Sequence, residues 1–445
     1  MKKFLQGLFL IFLSMNAFGQ SKLDSLSADV TDIKKKQTAM EWLKKFNLSA
    51  YVQMQYQHSD TVGIKSYAGG DFPTQSTDRF KIRRGRIKLE FEQKGNKGVV
   101  NYYATAQINF NETGVNFIEA WGKVVDPWLN TFAISGGMMN RPFGYEVAYS
   151  SRTRETPERG RMSQIIFPNE RDLGFMLSIE PPKYMKKASF FKINAGIFTG
   201  TGLPNAEIDK RKDFIGQIIL RKEFMDGKIK LSGGASYYNG GVLQSTNNFY
   251  FLEKDSTDGA LRYMKHLDST TINKKVFKRE YIGFDLQFSA NYKIGSTTLR
   301  GEYIFGSEPG TSTSDGTPIA LGSDIYNRKF NGFYAYFVQT FTHKVKGGTF
   351  SHDFVFKYDW FDPNTQISGK DLSTANDGKT SLADVKYQTF GVGYVFRPTD
   401  YFKLMLYYDI VKNETTHISG YTRDLSDNVF TLRTQFTFDS RWFNK

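Results

Sequence analysis

Residues 428–438 read NVFTLRTQFTF. Phe430, Leu432, Phe436 and Phe438 share one parity, and Arg433, Gln435 and Thr437 take the other. Successive side chains of a strand point to opposite faces, so this spacing predicts a ribbon that is apolar on one side and polar on the other. The pattern can be followed through Ser440 to Trp442, before Phe443, Asn444 and Lys445 end the chain. One such ribbon fits a half-buried sheet of any kind. Many of them, with an apolar side too rich for water, point to a sheet that has lipid on one face.

The same period of two recurs upstream, at residues 47–57, 79–93, 99–110, 116–125, 131–139, 173–180, 188–199, 212–224, 228–238, 277–293, 296–305, 329–342, 349–361, 383–397 and 401–412. With 428–438 that makes about sixteen strands, an even number, as single-chain bacterial barrels have. Most reach the nine to eleven residues that a tilted strand needs to cross a bilayer. The connections alternate short and long. Residues 94–98, 126–130, 181–187, 225–227, 294–295, 343–348 and 398–400 form the short set. Residues 58–78, 140–172, 239–276, 306–328, 362–382 and 413–427 form the long set, and only the short outer link 110–116 breaks the alternation. Short periplasmic turns and long outer loops are the habit of outer-membrane barrels, and a β-sandwich would not produce this asymmetry. The expected fold is all-β, a transmembrane antiparallel barrel of about sixteen strands, preceded by a short helix.

Composition agrees. The chain has 445 residues, 40 Phe and 25 Tyr, yet its mean hydropathy is −0.46. A helical membrane protein would be far more apolar; a barrel shows lipid only every second residue. There is no cysteine, so disulfide frameworks and thiolate metal sites are excluded. Residues 1–19 read as a secretory leader: Lys2 and Lys3, an apolar run from Phe4 to Phe18, then Ala17-Phe18-Gly19 before a cut at Gln20. Residues 20–46 change period. Leu23, Leu26, Val30, Ile33, Met40 and Leu43 follow a heptad-like stripe, expected as a periplasmic helix that either joins a short coiled coil or lies on the barrel mouth. Residues 47–445 form the barrel. The formal charge of +14, +12 without the leader lysines, suits anionic solutes or anionic lipid; export argues against nucleic acid.

Two stretches carry candidate chemistry. Residues 79–91, RFKIRRGRIKLEF, change apolar parity at Arg83-Arg84-Gly85, as a bulge with a glycine would. After the slip Arg84, Arg86 and Lys88 share the lumen parity, because a cation facing lipid at mid-bilayer costs about 2–4 kcal/mol. They line a pore or balance acids on neighbouring strands. Residues 140–172 read NRPFGYEVAYSSRTRETPERGRMSQIIFPNERD and keep neither period. This insertion is expected to fold into the pore as its constriction, with Arg152, Arg154, Arg159 and Arg161 facing the anion path. Arg141, Pro142, Phe143, Gly144, Glu146, Arg171 and Asp172 would shape it. Alternatively it is an outer loop in which Arg154 pairs with Glu155 and Glu158 with Arg159. Guanidinium forks match phosphate and carboxylate oxygens, and rings of Arg or Lys are how pores select anions.

Catalysis finds no footing. The five histidines, His58, His266, His343, His352 and His417, form no metal spacing, and there is no GxSxG elbow or phosphate loop. No cofactor is expected. A surface-binding barrel without transport and, further off, a lipase-type barrel are the alternatives.

In these residues the chain resembles the phosphate-selective porin O/P family of Gram-negative outer membranes. The resemblance lies in Phe80-Lys81-Ile82-Arg83-Arg84-Gly85-Arg86, in Arg141-Pro142-Phe143-Gly144-Tyr145-Glu146 with Ser150-Ser151, in Arg171-Asp172-Leu173-Gly174, and in Ala195-Gly196-Ile197-Phe198 running to Gly200 and Gly202. It implies sixteen-stranded barrels assembled as homotrimers in the outer membrane, with inward loops forming sites for phosphate or similar small anions. It carries a permeation role onto Arg83, Arg84 and Arg86. That family's lysine-rich binding zone finds no counterpart motif among Lys254, Lys265, Lys274 and Lys275.

Overall fold

The computed structural model describes residues 29–37, 40–202, 205, 207, 209–244, 246–267, 275–318, 322–346, 348–373 and 380–444. The leader and the start of the helical stripe lie outside these residues. Residues 29–37 and 40–43 are helical, and Val30, Ile33, Met40 and Leu43 all stand exposed on that helix.

Eighteen strands follow: β1 Phe46–Ser59, β2 Asp78–Lys94, β3 Val100–Asn111, β4 Gly114–Val125, β5 Phe132–Asn140, β6 Arg171–Ile179, β7 Phe191–Phe198, β8 Asp213–Phe224 and β9 Ile229–Leu243 make the first half of the wall, and β10 Asn248–Lys254 with β11 Leu261–Leu267 stand outside it. The second half is β12 Val276–Tyr292, β13 Gly295–Gly310, β14 Ile325–Val345, β15 Gly348–Asp362, β16 Tyr387–Thr399, β17 Phe402–Asn413 and β18 Val429–Asp439. Each wall strand pairs antiparallel with the next, β9 pairs directly with β12, and β18 returns to β1 with Gln53 opposite Gln435. The result is a closed antiparallel barrel of 16 strands. Closure leaves no sheet edge in the bilayer, where unpaired backbone groups have no water to satisfy them.

Parity does what the sequence demands. On β15, Phe354 and Phe356 are exposed on the outer surface while Asp353, Val355 and Lys357 are buried inside. The tandem aromatics divide in the same way: Tyr237 and Tyr408 face out, whereas Tyr238 and Tyr407 are buried in the lumen. Only one ring of each of these pairs can therefore serve a membrane girdle, since neighbours on a strand point apart.

Two features depart from expectation. The link 239–276 holds the hairpin β10–β11, which joins the upper wall through a short parallel pairing of Phe249 and Tyr250 with Ile325 and Tyr326 of β14. Its sequence shows no clean alternation because both faces find cover. Tyr250, Leu252 and Tyr263 pack with Tyr326, Ile367, Leu372, Val385 and Ile418 in a small core made by the outer loops. Second, several strands run past the lipid belt: β9 reaches Leu243, β13 Gly310, and β14 begins at Ile325. Turn and core residues there mask the period.

Candidate functional site: a loop held across the lumen

Residues 141–170 leave β5 and turn into the barrel rather than away from it. The first anchor is apolar. Phe143 is fully buried, its ring 5.1 Å from Phe167 and 6.2 Å from Tyr281. Pro142, between two anchored residues, is buried as well. Gly144 follows at φ +58, a conformation that glycine adopts without strain. Its N–H donates to Ser236 Oγ at 2.9 Å, and its carbonyl accepts from Gln217 Nε2 at 2.7 Å. A Cβ there would meet Glu302 Oε1 at 1.7 Å. Glu302, 1% exposed on β13, accepts from the N–H groups of Tyr145 and Glu146 at 3.3 and 3.2 Å. Glu146 in turn accepts from Gly160 N–H at 3.0 Å, from Ser163 Oγ at 2.5 Å and from the Tyr336 hydroxyl, folding the loop back on itself.

The middle of the loop then reaches the facing wall. The Tyr51 hydroxyl and Ser151 Oγ are 2.7 Å apart, and Gln53 Nε2 donates to the Ser151 carbonyl at 3.0 Å. Lys403 Nζ donates to the carbonyls of Arg152 and Arg154 at 3.0 and 3.2 Å. Glu155 pairs with Arg300 of β13 at 2.8 Å, so the loop spans from β1 and β17 to β13.

Glu158 is the central lock. It is 7% exposed and meets Arg83 at 2.8 Å, Arg84 at 2.8 Å and Arg433 at 2.9 Å. The bulge expected in β2 makes this possible. Gln53 of β1 pairs with Arg84 and Met54 with Ile82, so Arg83 is the extra residue and both arginines point inward. Burial alone would raise the Glu158 carboxyl; the three guanidiniums outweigh it and hold it well below the usual carboxylate range. Glu170 is treated likewise: burial raises it, and Arg159 and Arg171 at 3.1 and 2.9 Å bring it far down.

Each sequence-derived residue can now be placed. Arg83 and Arg84 belong to the lock. Arg86 donates to Ser151 Oγ at 3.2 Å and Asn109 Oδ1 at 3.4 Å. Lys88 pairs with Glu90 at 3.0 Å, and Arg152 with Asp439 at 2.9 Å. Arg154 holds the Tyr149 carbonyl at 2.8 Å, and Arg159 also donates to the carbonyls of Ser163 and Phe167 at 2.9 and 3.1 Å. Arg161 opens the one-and-a-half-turn helix Arg161–Ile166 and stacks between Tyr67 at 4.6 Å and Tyr387 at 3.5 Å. Arg141 and Asp172 pair at 3.0 Å at the loop's base, and Arg171 reaches Glu119 at 3.3 Å. The neighbour pairs Arg154–Glu155 and Glu158–Arg159 do not form; each acid takes its partner from a wall strand instead. Arg300, Lys403 and Glu302 escaped sequence reading, which puts Arg433 on the polar side without a role. Their signal was present: charges on the lumen parity of otherwise apolar strands.

Positive charge is in excess. Three guanidiniums share Glu158, and among the described residues Arg86, Arg154 and Lys403 have no carboxylate within 4 Å. Among the described residues the buried N–H groups Arg84 Nη1, Arg154 Nε and Arg161 Nε have no hydrogen-bond partner. A cavity of about 290 Å³ remains between the loop and the wall, where Arg86, Lys88, Arg152 and Arg171 face Glu90, Glu119 and Glu170. On the side of the short turns a vestibule of about 1900 Å³ is lined by Lys123, Lys183, Lys186, Lys187, Lys192, Arg221, Lys222 and Lys230 against Glu180, Glu223 and Asp226.

No family model matches the chain, and neither does any curated protein sequence. Among solved structures it is similar to OprB of Pseudomonas putida, with a TM-score of 0.55 and 11% identity over 90% of this chain and 96% of that one. The outer membrane channel DcaP of Acinetobacter baumannii gives 0.49 and 11% over 88% and 97%, and an anion-selective porin from Comamonas acidovorans 0.47 and 10% over 88% and 99%. At these identities the likeness is one of fold. A closed barrel with an apolar outer belt, short turns on one rim and long loops on the other is the architecture of Gram-negative outer membranes. The protein is an outer-membrane β-barrel.

Proposed function

We propose that the protein is a porin through which small anions diffuse passively, with tetrahedral oxyanions such as phosphate as the favoured solutes. The cation excess around the lumen loop carries this reading. Arg83, Arg84 and Arg433 share the one Glu158 carboxylate, and among the described residues Arg86 and Arg154 have no carboxylate within 4 Å, in a space where the effective dielectric is far below that of water. Two unit charges 4 Å apart interact by about 4 kcal/mol at an effective dielectric near 20. A cation passing Arg86 and Arg152 meets that repulsion, while an anion is drawn in, and the lysine-rich vestibule extends the same field toward the periplasm. Loop 140–172 is the constriction in this reading. The helix before β1 would join two other copies in a trimeric coiled coil, giving its exposed Val30, Ile33, Met40 and Leu43 a partner.

The geometry sharpens the choice of test. Arg84→Glu would set a second carboxylate against Glu158 and release the loop, so it reads folding rather than selectivity. Arg86 and Lys88 line the free cavity. Arg86→Glu with Lys88→Glu should shift the reversal potential in a salt gradient toward the cation value with heat-modifiable folding intact. An unchanged reversal potential in folded protein contradicts the proposal.

One observation favours a second reading, a closed barrel that presents a surface. Asp384, wholly buried, accepts from Arg328 Nε at 2.8 Å, Tyr263 hydroxyl at 2.8 Å and Asn364 Nδ2 at 2.9 Å, tying three outer segments into a packed cap. Well-folded protein that never conducts would decide for it.

A further inference from the structure

Two of the five histidines meet on the lipid-facing surface, far from the lumen loop. His343 is near the end of β14 and His352 near the start of β15, next to the short turn that joins them. Strand parity turns both outward: Val338 and Thr340 on β14 and Asp353 and Val355 on β15 take the inner face. Their rings lie 5.6 Å apart at 83°. Phe350 stacks on His343 at 4.8 Å, and Phe396 on His352 at 5.0 Å. Tyr394 Oη and His352 Nδ1 are 2.5 Å apart, which fixes that ring and leaves its Nε2 for another partner.

What surrounds this pair is amphipathic. Toward mid-membrane lie Phe341 and Phe354, 6.1 Å apart. Toward the periplasm the two adjacent turns carry Lys293, Lys344 and Lys346. Thr342 N–H donates to the Ile294 carbonyl at 2.8 Å, which holds those turns side by side. None of the three lysines joins an ion pair among the described residues; Lys344 shares the inner parity of Val338 and Thr340, whereas Lys346 lies past the end of β14 and is exposed. The outward positions nearby, Gln339, Phe341, Phe350, Phe354, Tyr394 and Phe396, include no carboxylate, and Asp353 beside His352 faces the lumen.

We infer that His343 and His352, with Lys346 of the adjoining turn, form a site for the phosphodiester headgroup of an anionic phospholipid of the periplasmic leaflet. Imidazole N–H groups and ammonium groups donate to phosphate oxygens, and the acyl chains lie along Phe341 and Phe354. The position at the membrane–water boundary selects a lipid over a free ion, since aromatic and basic side chains at this level face headgroups. The inference needs the barrel and its orientation but no anion selectivity.

Native mass spectrometry of delipidated, detergent-held protein tests it, with phosphatidylglycerol and phosphatidylcholine offered in turn. Wild type should keep a phosphatidylglycerol adduct at least fivefold more than a phosphatidylcholine adduct. His343→Ala with His352→Ala should lose that preference, while His58→Ala with His417→Ala, on the outer side, should not. Lys346→Glu, in the exposed turn after β14, should also weaken the adduct. Equal adducts for both lipids, or a preference that survives both the histidine double variant and Lys346→Glu, overturns the site. Competition by millimolar inorganic phosphate as effective as that by lipid also overturns it.

Discussion

At the scale of single residues, the lumen is a lesson in what surplus charge can be used for. Glu158 holds three guanidiniums, and removing it leaves Arg83 and the buried Arg84 and Arg433 without a carboxylate. Breaking a buried ion pair by deleting one member costs about 3–5 kcal/mol. Glu158→Gln is therefore expected to lower thermal or denaturant stability by roughly that amount, and to make single-channel current noisier as the loop loosens. Silent gating and unchanged unfolding would contradict the lock. The pH dependence follows from the sign of the shift. Glu158 sits well below its unfolded value, so its contribution is complete above about pH 4 and is lost only as pH falls through the depressed folded value. Channel noise in wild type should stay low across neutral and mildly acidic pH and rise only in strong acid. Gly144 offers a control of another kind: Gly144→Ala strains a positive φ and strikes Glu302, so it should cost stability with no change of charge. Much of this was legible beforehand. The phase slip at Arg83-Arg84-Gly85 foretold a bulge, and lipid forced the cations inward. The partners were not legible, because an ion pair between residues 75 or 275 positions apart leaves no local trace.

The elements divide by how much of their surroundings is local. A strand between lipid and water carries its period in its own residues, and every wall strand was visible for that reason. The hairpin β10–β11 packs one face on outer-loop residues and the other on Val242, Phe277 and Ile325 of the wall, so its period dissolved and the segment read as plain connection. The hairpin and its neighbours form the outer cap, whose node is Asp384 with Arg328. Deleting residues 245–275 should open the outer mouth and raise single-channel conductance; unchanged conductance would show that the cap stands clear of the path. Asp315, in the outer loop that Arg328 also grips through the Thr311 carbonyl at 2.9 Å, has the opposite linkage to Glu158. Burial pushes its carboxyl up to about 6. An acid raised in the folded state favours folding at low pH, so the cap should weaken as pH climbs from about 4 to 6 and stay weakened above. Asp315→Asn should flatten that dependence, read as slower protease cleavage of the outer loops at pH 7.

For the molecule as a whole, the barrel is symmetric in architecture and lopsided in charge. The loop bridges a wall rich in guanidiniums, from β2 and β18, to a wall that offers Glu302, Tyr334 and Tyr336 from β13 and β14. Sequence alone suggested a ring of free arginines. The structure shows most of them committed to holding the loop, so the proposed selectivity would rest on the surplus at Arg86 and Arg154 and on the basic vestibule. A scaffold of fixed, buried charges keeps its field without reorganising as a solute passes, and it is screened by salt far less than exposed charges are. Reversal potential in planar bilayers with a tenfold potassium chloride gradient measures that surplus directly. A potential of the sign set by chloride, falling in magnitude as phosphate is added to the dilute side, is the predicted result; a potential of the sign set by potassium would contradict it.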